Sequence, residues 1–316
     1  VYKRQHPEDM AAARLVKDLL GYVPFRVAAA VFGLFPERLV RWVGETGGEM
    51  FARRRSDRFP LLRSHMARVL GPDASDASLD DAVHGMYRSY GRYWADTFWF
   101  RPRRRTAIVR TVDRVHFDPV YRSIESGNGR IFALPHVGNW EVAGLIADEI
   151  GTPVVAVAEH LPNQRITDWF VDVRNHFGID IILTSDPNRT RKLMRILKSG
   201  GAIALVADRD VTGRGVEVEF FGEHTTMPAG AVALADATGA DLVPVGAYFK
   251  DGRGYRIVVH DPVVLPAAPT REERIALGVQ AFALVLEEII REAPWQWHLF
   301  QPNWPTDARF VEDDSP

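Results

Sequence analysis

From residue 130 onward, short apolar runs alternate with segments that repeat their apolar residues at helical spacing. The runs are rich in Val, Ile and Leu, which is typical of buried strands. They predict strands at residues 131–134, 154–158, 179–183, 202–207, 216–221, 242–249 and 255–259. The segments between them predict helices at residues 141–150, 166–177, 189–198, 229–238 and 271–292. This alternation predicts an α/β fold with a mainly parallel central sheet flanked by helices.

The N-terminal third has a different pattern. Residues 19–43 are largely apolar but are interrupted by Pro24 and Pro36, and we interpret them as two amphipathic helices with breaks at the prolines. Residues 87–100 hold seven aromatic side chains and precede a basic run. We expect all these helices to pack on the same sheet. The sequence therefore predicts one domain over residues 1–316, with a helical, membrane-facing part at 11–115 and an α/β catalytic core at 116–316.

The N-terminal part and the α/β part also differ in net charge. Residues 1–114 carry 21 Lys and Arg against 13 Asp and Glu, whereas residues 115–316 carry 18 against 28. A basic part beside aromatic residues suits the headgroup region of an anionic membrane surface. For each segment alone, a core helix with a solvated basic end is the alternative. The net charge of −2 and the absence of an RNA- or DNA-binding motif argue against a nucleic-acid partner.

Several kinds of chemistry are excluded by what the sequence lacks. The chain has no cysteine, which removes disulfides, thiol nucleophiles and thiolate-bound metal. It has no His-Glu-x-x-His, dinucleotide-binding or P-loop sequence, so we expect no metal and no cofactor. The absence of a Gly-x-Ser-x-Gly sequence disfavours a hydrolase of thioesters or lipid esters. No apolar run reaches the ~20 residues that span a bilayer, and no secretory signal is evident.

Polar residues follow two of the predicted strands, at the edge where open α/β sheets bind ligands. His136 comes directly after the strand at 131–134, and Glu141 begins the next helix. A tight turn at Gly138 can bring the Glu141 carboxylate to the His136 imidazole, as a general base and its orienting partner. The backbone amides of residues 137–139 are candidate oxyanion donors. A surface histidine followed by a glutamate at a helix N-terminus fits the same spacing.

The whole string His-Val-Gly-Asn-Trp-Glu at 136–141 resembles the signature of the lysophospholipid acyltransferase superfamily, in its lipid A acyltransferase branch. Blocks at 161–174, 207–230 and 293–304 are similar to that branch in the same order. The resemblance implies acyl transfer from a thioester to a hydroxyl, with His136 as general base and Glu141 as its partner. It implies that substrate is bound by Asn139, Arg165, Arg174, Asp208, Arg209 and Asp210.

Several of these implied roles have alternatives. For Arg165, the entry of the next helix at residues 163–165 is an equally good interpretation. Arg174 is expected to contact an anionic group or to pair with Asp210. Asp208 and Arg209 follow the strand at 202–207, where a structural ion pair is as good an interpretation as substrate contact.

One departure from the branch concerns the acceptor. His298 is followed by Leu299 and Phe300, where lipid A enzymes usually have basic residues, so we expect a different acceptor. The Arg- and Ala-rich composition looks actinobacterial. Within the branch, the chain is most similar to mycobacterial members that acylate a mannose hydroxyl of a phosphatidylinositol mannoside from acyl-CoA, at the cytoplasmic face of the cell membrane.

The resemblance thus implies acyl-CoA, a membrane glycolipid and an anionic membrane surface as partners, and a peripheral location. Three alternatives stay open. The acceptor could be lipid A, another glycolipid or a lysophospholipid. The donor could be an acyl carrier protein. The chain could also be a non-catalytic module that binds anionic lipids.

Overall fold

The computed structural model describes residues 7–54 and 56–310. Its central sheet is built from β1 (Val112–Val115), β2 (Arg130–Leu134), β3 (Val154–Ala158), β4 (Ile179–Leu183), β5 (Ala202–Val206), β8 (Asp241–Phe249) and β9 (Tyr255–Val259). These seven strands lie in the order β1-β9-β8-β2-β5-β3-β4. All neighbouring pairs are parallel except β8 and β9, which are antiparallel. A separate antiparallel hairpin is formed by β6 (Val216–Phe220) and β7 (Glu223–Met227).

Helices cover the sheet on both faces. They are α1 (Pro7–Phe32), α2 (Glu37–Arg54), α3 (Phe59–Leu70), α4 (Asp76–Trp99), α5 (Arg105–Val109), α6 (Asp118–Ser126), α7 (Trp140–Glu149), α8 (Gln164–Asn175), α9 (Arg189–Lys198), α10 (Gly230–Thr238) and α11 (Arg271–Glu292). Successive residues of β2 point to opposite faces, so Ile131 and Phe132 belong to two different apolar clusters. Burial on both sides explains why the strands read as continuous apolar runs.

Most predicted elements are confirmed. The structure gives β3, β4, β9, α9 and α11 the predicted bounds, and Thr270 begins α11 with a capping box that it forms with Glu273. Two strands, β1 and β7, were not predicted. The run at 216–221 forms the hairpin instead of joining the main sheet, because its alternating polar residues suit a strand with one exposed face.

The two proline breaks have different outcomes. The break at Pro36 is confirmed, because α2 begins at Glu37. The break at Pro24 is wrong, since α1 continues through it to Phe32. Phe25, next to this proline, packs edge-on against Trp94 at a ring-centroid distance of 5.8 Å and against Phe98 and Trp169. These contacts offset the one hydrogen bond that a proline removes from a helix.

The aromatic segment at 87–100 is mainly a core helix, as its alternative interpretation held. It forms the second half of α4, where Tyr87, Tyr93 and Trp99 are buried. Gly91 lets α4 approach α2 so closely that a Cβ there would lie 2.1 Å from the carbonyl oxygen of Gly44. On the other side, Tyr93 and Trp99 of α4 share an apolar cluster with Phe132 of β2, so α4 packs against the sheet.

Exposed apolar side chains instead concentrate on α1, on α2 and on the turn between them. We call this surface the α1–α2 face, and its members are Val23, Val27, Val31, Leu34, Phe35, Leu39, Trp42 and Val43. Within residues 7–54 and 56–310, no helix is long and apolar enough to cross a membrane.

Candidate active site

The site is built at the carboxyl ends of two neighbouring parallel strands, β2 and β5. Leu134 and Val206 are register partners, so the residues just after them meet at one edge of the sheet. Nδ1 of His136 lies 2.6 Å from Oδ1 of Asp208, and the backbone N–H of His136 donates to Oδ2 at 3.1 Å. The sheet register thus brings together two residues that are 72 positions apart in sequence.

Asp208 is fully buried, and hydrogen bonds stabilise its negative charge. Besides His136, Nε1 of Trp297 donates to its Oδ2 at 2.8 Å. Burial alone would raise the pKa of Asp208, but the His136 charge and the hydrogen bonds from His136 and Trp297 outweigh burial and lower this pKa to about 2. A carboxylate that stays ionised therefore fixes the ring orientation of His136.

Glu141 does not serve His136 in this way, which corrects the expected pairing. Both of its carboxylate oxygens accept from Nε of Arg174, at 3.1 and 3.0 Å, and Oε1 also accepts from Nη2 at 2.6 Å. Among the described residues, Arg174 does not pair with Asp210 as expected, because its guanidinium is bound to Glu141. The negative charge of Glu141 raises the pKa of Arg174 against the lowering effect of burial. Glu141 of α7 and Arg174 of α8 thus form a charge-neutral pair at the site.

The turn after β2 also differs from expectation, because its amides are already occupied. The N–H of Val137 donates to Pro135, that of Gly138 to Gln296 at 2.9 Å, and that of Asn139 to Ala247 at 2.9 Å. Gly138 has φ +59°, and a Cβ there would lie 2.1 Å from the carbonyl oxygen of Ala247. The amides of residues 137–139 therefore build the turn and are not free to hold an oxyanion.

Three further expected site residues have other positions. Asn139 is 1% exposed, and its amide donates to Asp96 at 3.3 Å, away from the cavity that His136 lines. Oδ1 of Asp210 accepts the N–H groups of Thr212 and Gly213, so this residue shapes its own loop. Arg165 is exposed and does not line the cavity. None of these three residues is in the described lining of the cavity.

A C-terminal segment completes the site and was not predicted as part of it. Trp297 forms a β-bridge with Val137, and the N–H of His298 donates to the carbonyl of His136 at 2.8 Å. Nε2 of His298 lies 2.8 Å from Oγ of Ser89. Burial and the nearby His136 lower the pKa of His298 to about 3, so this ring is neutral. The only signal in the sequence was that the block at 293–304 resembles the family.

A cavity of about 600 Å³ opens at His136 and runs inward between the sheet and α7. Its inner walls are apolar and rich in small side chains: Leu134, Ala143, Ala147, Ile150, Val154, Ala156 and Ala204. The face of α7 from Trp140 to Ile150 lines it, and at 1.5 Å per residue this face is about 15 Å long. Nε2 of His136 has no hydrogen-bond partner among the described residues, so its outer nitrogen is available to a bound group.

The arrangement can supply a general base beside an apolar channel. His136 can take a proton, because Asp208 stabilises the imidazolium that results. In the part of the chain that the structure describes, no group of three or more His, Asp or Glu side chains is placed to hold a metal ion.

Comparisons with known proteins identify the family of this chain. Residues 20–306 match the family described as bacterial lipid A biosynthesis acyltransferase. The phosphatidylinositol mannoside acyltransferase of Mycobacterium tuberculosis (strain CDC 1551 / Oshkosh) is 35% identical over 276 residues, which cover 86% of this chain and 84% of that protein. The protein of the same name from Mycolicibacterium smegmatis (strain ATCC 700084 / mc(2)155) is 33% identical over 275 residues, covering 86% and 87% of the two chains. The family resemblance of the sequence is thereby confirmed, and the chain belongs to the bacterial lipid A biosynthesis acyltransferase family as an O-acyltransferase.

Proposed function

We propose that this acyltransferase moves a long-chain acyl group from acyl-CoA to a mannose hydroxyl of a phosphatidylinositol mannoside. The observation that carries the proposal is the pair of His136 and the buried Asp208 at the open end of an apolar cavity. The acceptor class is supported by the similarity to the two mycobacterial proteins, over most of the length of both chains.

The proposed chemistry is direct transfer in a complex that holds both substrates. Nε2 of His136 removes the proton of the sugar hydroxyl while that oxygen attacks the thioester carbonyl. The carbon–sulfur bond then breaks, and the CoA thiolate takes the proton back from the imidazolium. The chain has no cysteine, so no thiol of its own is available to hold the acyl group between steps. General-base catalysis of this kind contributes typically ~10²–10⁴-fold to the rate.

The Glu141–Arg174 pair has a different role in this proposal from the one first expected of Glu141. Arg174 lines the cavity that His136 lines, and its guanidinium is held by Glu141. Because the turn amides are occupied, we assign the stabilisation of the negative charge that develops on the thioester oxygen to Arg174, one of two arginines in the described lining of the cavity. Glu141 then acts by fixing the guanidinium rather than by orienting the imidazole.

The inner part of the cavity fits the acyl chain. An extended chain advances about 1.2 Å per bond, so the ~15 Å face of α7 spans about 12 bonds. Each methylene buried in the cavity contributes about 0.8 kcal/mol to the free energy of binding. A saturated chain of roughly 13 carbons would therefore span this face with its thioester near His136.

We further propose that the protein acts on the membrane surface, at the cytoplasmic face. The exposed α1–α2 face adjoins the cavity, since Phe25 on the opposite side of α1 contacts Trp94 and Phe170, which both line it. Arg101 and Arg104, beside this face, have no carboxylate within salt-bridge distance among the described residues, and both donate to carbonyls of α1 or of the turn after it. Apolar side chains flanked by unpaired arginines are typical of helices that lie in an anionic interface.

The proposal is tested by mass spectrometry of the products formed from a mixture of acyl-CoAs and purified phosphatidylinositol mannosides. We expect one added acyl ester on a mannose, and its loss in His136→Ala with the fold retained by circular dichroism. Wild-type turnover in the His136→Ala variant would contradict the mechanism. Acylation only of lipid A or of a lysophospholipid would contradict the acceptor.

The membrane proposal has its own test. Flotation with vesicles that contain anionic lipid should recover the wild-type protein, and Val27→Glu with Trp42→Glu should abolish recovery. A protein that ignores anionic vesicles in this experiment does not act as proposed.

A further inference from the structure

The chain contains a second buried pair of a histidine and an aspartate, which the proposed mechanism does not use. His65 lies in the middle of α3, and Asp307 lies in a short 3₁₀ helix at Pro305–Phe310. Both side chains are fully buried, and Nε2 of His65 lies 3.0 Å from Oδ2 of Asp307. Neither residue is in the described lining of the cavity. The pair therefore acts on other parts of the protein rather than on a bound substrate.

The part of the chain that this pair contacts is the C-terminal segment, residues 298–304. The segment has no helix or strand of its own, so contacts with side chains must hold it in place. Nδ1 of His65 lies 3.3 Å from the carbonyl oxygen of Leu299. Oδ2 of Asp307 accepts the backbone N–H of Trp304 at 3.1 Å. The pair thus fixes the segment near its beginning and at its end.

Asp307 holds these contacts as a charged group. Nη1 of Arg68, three residues after His65 on α3, lies 3.2 Å from Oδ1 of Asp307. The same guanidinium covers the ring of Trp304 at 4.4 Å from its centroid. Burial alone would raise the pKa of Asp307, but the hydrogen bonds from His65 and from two backbone N–H groups outweigh burial and lower this pKa to about 2. Hydrogen bonds to an ionised carboxylate are stronger than those to a neutral group, so the charge strengthens the hold on the segment.

Trp297 connects the pair with the catalytic groups. Its ring centroid lies 6.2 Å from that of His65, and its Nε1 donates to Oδ2 of Asp208 at 2.8 Å. The next residue, His298, donates its N–H to the carbonyl of His136 at 2.8 Å. The C-terminal segment therefore begins at contacts with the proposed base and its carboxylate. A shift of this segment would break a hydrogen bond that helps to keep Asp208 ionised.

We propose that His65 and Asp307 are positioning residues for acyl transfer. By holding the C-terminal segment in place, they keep the indole N–H of Trp297 on Asp208. This inference rests on the proposed function, because it takes His136 with Asp208 as the general base. The pair touches no substrate and acts through Trp297.

The first test is a double-mutant cycle in kcat, measured by the release of CoA. Trp297→Phe removes the indole N–H, and Asp307→Asn removes the charge that holds the segment. Each change should lower kcat about ten-fold, the effect of losing one hydrogen bond to a charged group. Because both changes act on the same hydrogen bond, the double variant should have nearly the kcat of the single variants. Residues that only stabilise the fold would give losses that multiply.

The second test needs no turnover. The chain has eight tryptophans, and the indole N–H signal of Trp297 in ¹H–¹⁵N NMR spectra is assigned by its absence in Trp297→Phe. In Asp307→Asn this signal should move upfield, because the hydrogen bond to a carboxylate is lost. Its exchange with solvent should become faster by about ten-fold or more.

Asp236→Asn is the matched control for both tests. Asp236 on α10 is also a largely buried carboxylate, and it pairs with Arg271 and Arg274 of α11 outside the described lining of the cavity. Its replacement makes the same chemical change and should leave kcat and the Trp297 signal at their wild-type values.

His65→Gln gives the same tests where Asp307→Asn does not fold. Its amide can still donate to Asp307, whereas the contact with Leu299 is lost. Wild-type kcat, losses that multiply in the cycle, or an unmoved Trp297 signal in a folded variant would each overturn the inference and leave the proposed function intact. If the wild type transfers no acyl group to the mannoside while the NMR signal moves as expected, the proposed function fails instead.

Discussion

Replacing Asp208 with asparagine tests how His136 is activated. The carboxylate accepts three hydrogen bonds, two from His136 and one from Trp297. An asparagine keeps only one of the two acceptor oxygens, and its NH2 group would face an N–H donor of His136 or Trp297. The folded protein lowers the pKa of Asp208 from 3.8 to about 2, and at 1.36 kcal/mol per unit this corresponds to about 2 kcal/mol of stabilisation. Because this acid's pKa is depressed, the stabilisation is present above pH ~4 and is lost as the pH falls through ~2.

For Asp208→Asn we therefore expect two effects at pH 7. The free energy of unfolding should fall by about 2 kcal/mol, which urea denaturation measures. The kcat should fall about 10²–10⁴-fold, because the neutral side chain neither stabilises the imidazolium nor fixes the ring tautomer. Release of CoA can be followed with a thiol-reactive chromogen, and the enzyme adds no background because it has no cysteine.

Asp210→Asn is the matched control, since it makes the same change two residues further along, in a carboxylate that caps its own loop. It should keep kcat within about three-fold of wild type and lose about 1 kcal/mol of stability. The reasoning is refuted if Asp208→Asn keeps more than a tenth of the wild-type kcat while folding normally. It is also refuted if Asp210→Asn loses as much activity.

Three further predictions concern burial, the acyl channel and the buried ion pair. Burial raises the pKa of Asp96 to about 6, so the stability linked to its protonated form is present below pH ~4 and is lost as the pH rises through ~6. Urea denaturation at pH 7 should therefore find Asp96→Asn about 2–3 kcal/mol more stable than the wild type. The difference should vanish near pH ~4. Ala147→Phe fills the inner channel and should shift the preferred acyl-CoA to a chain shorter by about four carbons in a competition assay, whereas the exposed Leu277→Phe should not. Arg174→Gln leaves the Glu141 carboxylate without its cation, so the free energy of unfolding measured in urea should fall by about 2–3 kcal/mol. Adding Glu141→Gln should restore at least half of that loss, and purely additive losses in the double variant would contradict the pairing.

The sequence predicted local features that depend on near neighbours in the chain. The apolar runs gave β3, β4 and β9 their bounds, because strands buried on both faces must be continuously apolar. The capping signal at Thr270 gave the start of α11. The break at Pro24 was wrong, because ring contacts from distant helices outweigh one lost hydrogen bond. A local rule fails where tertiary packing decides the balance.

For the candidate site, the sequence by itself determined where the chemistry lies and which family the chain belongs to. His136 after β2 and Asp208 after β5 could both be placed at the binding edge, because each follows an apolar run that must be a strand. Only the tertiary structure decided which carboxylate meets which cation. The order of β2 and β5 brings Asp208 to His136, and the packing of α8 brings Arg174 to Glu141. The physical reason is that hydrogen bonds and ion pairs depend on ångström distances across the fold, which spacing along the chain does not fix.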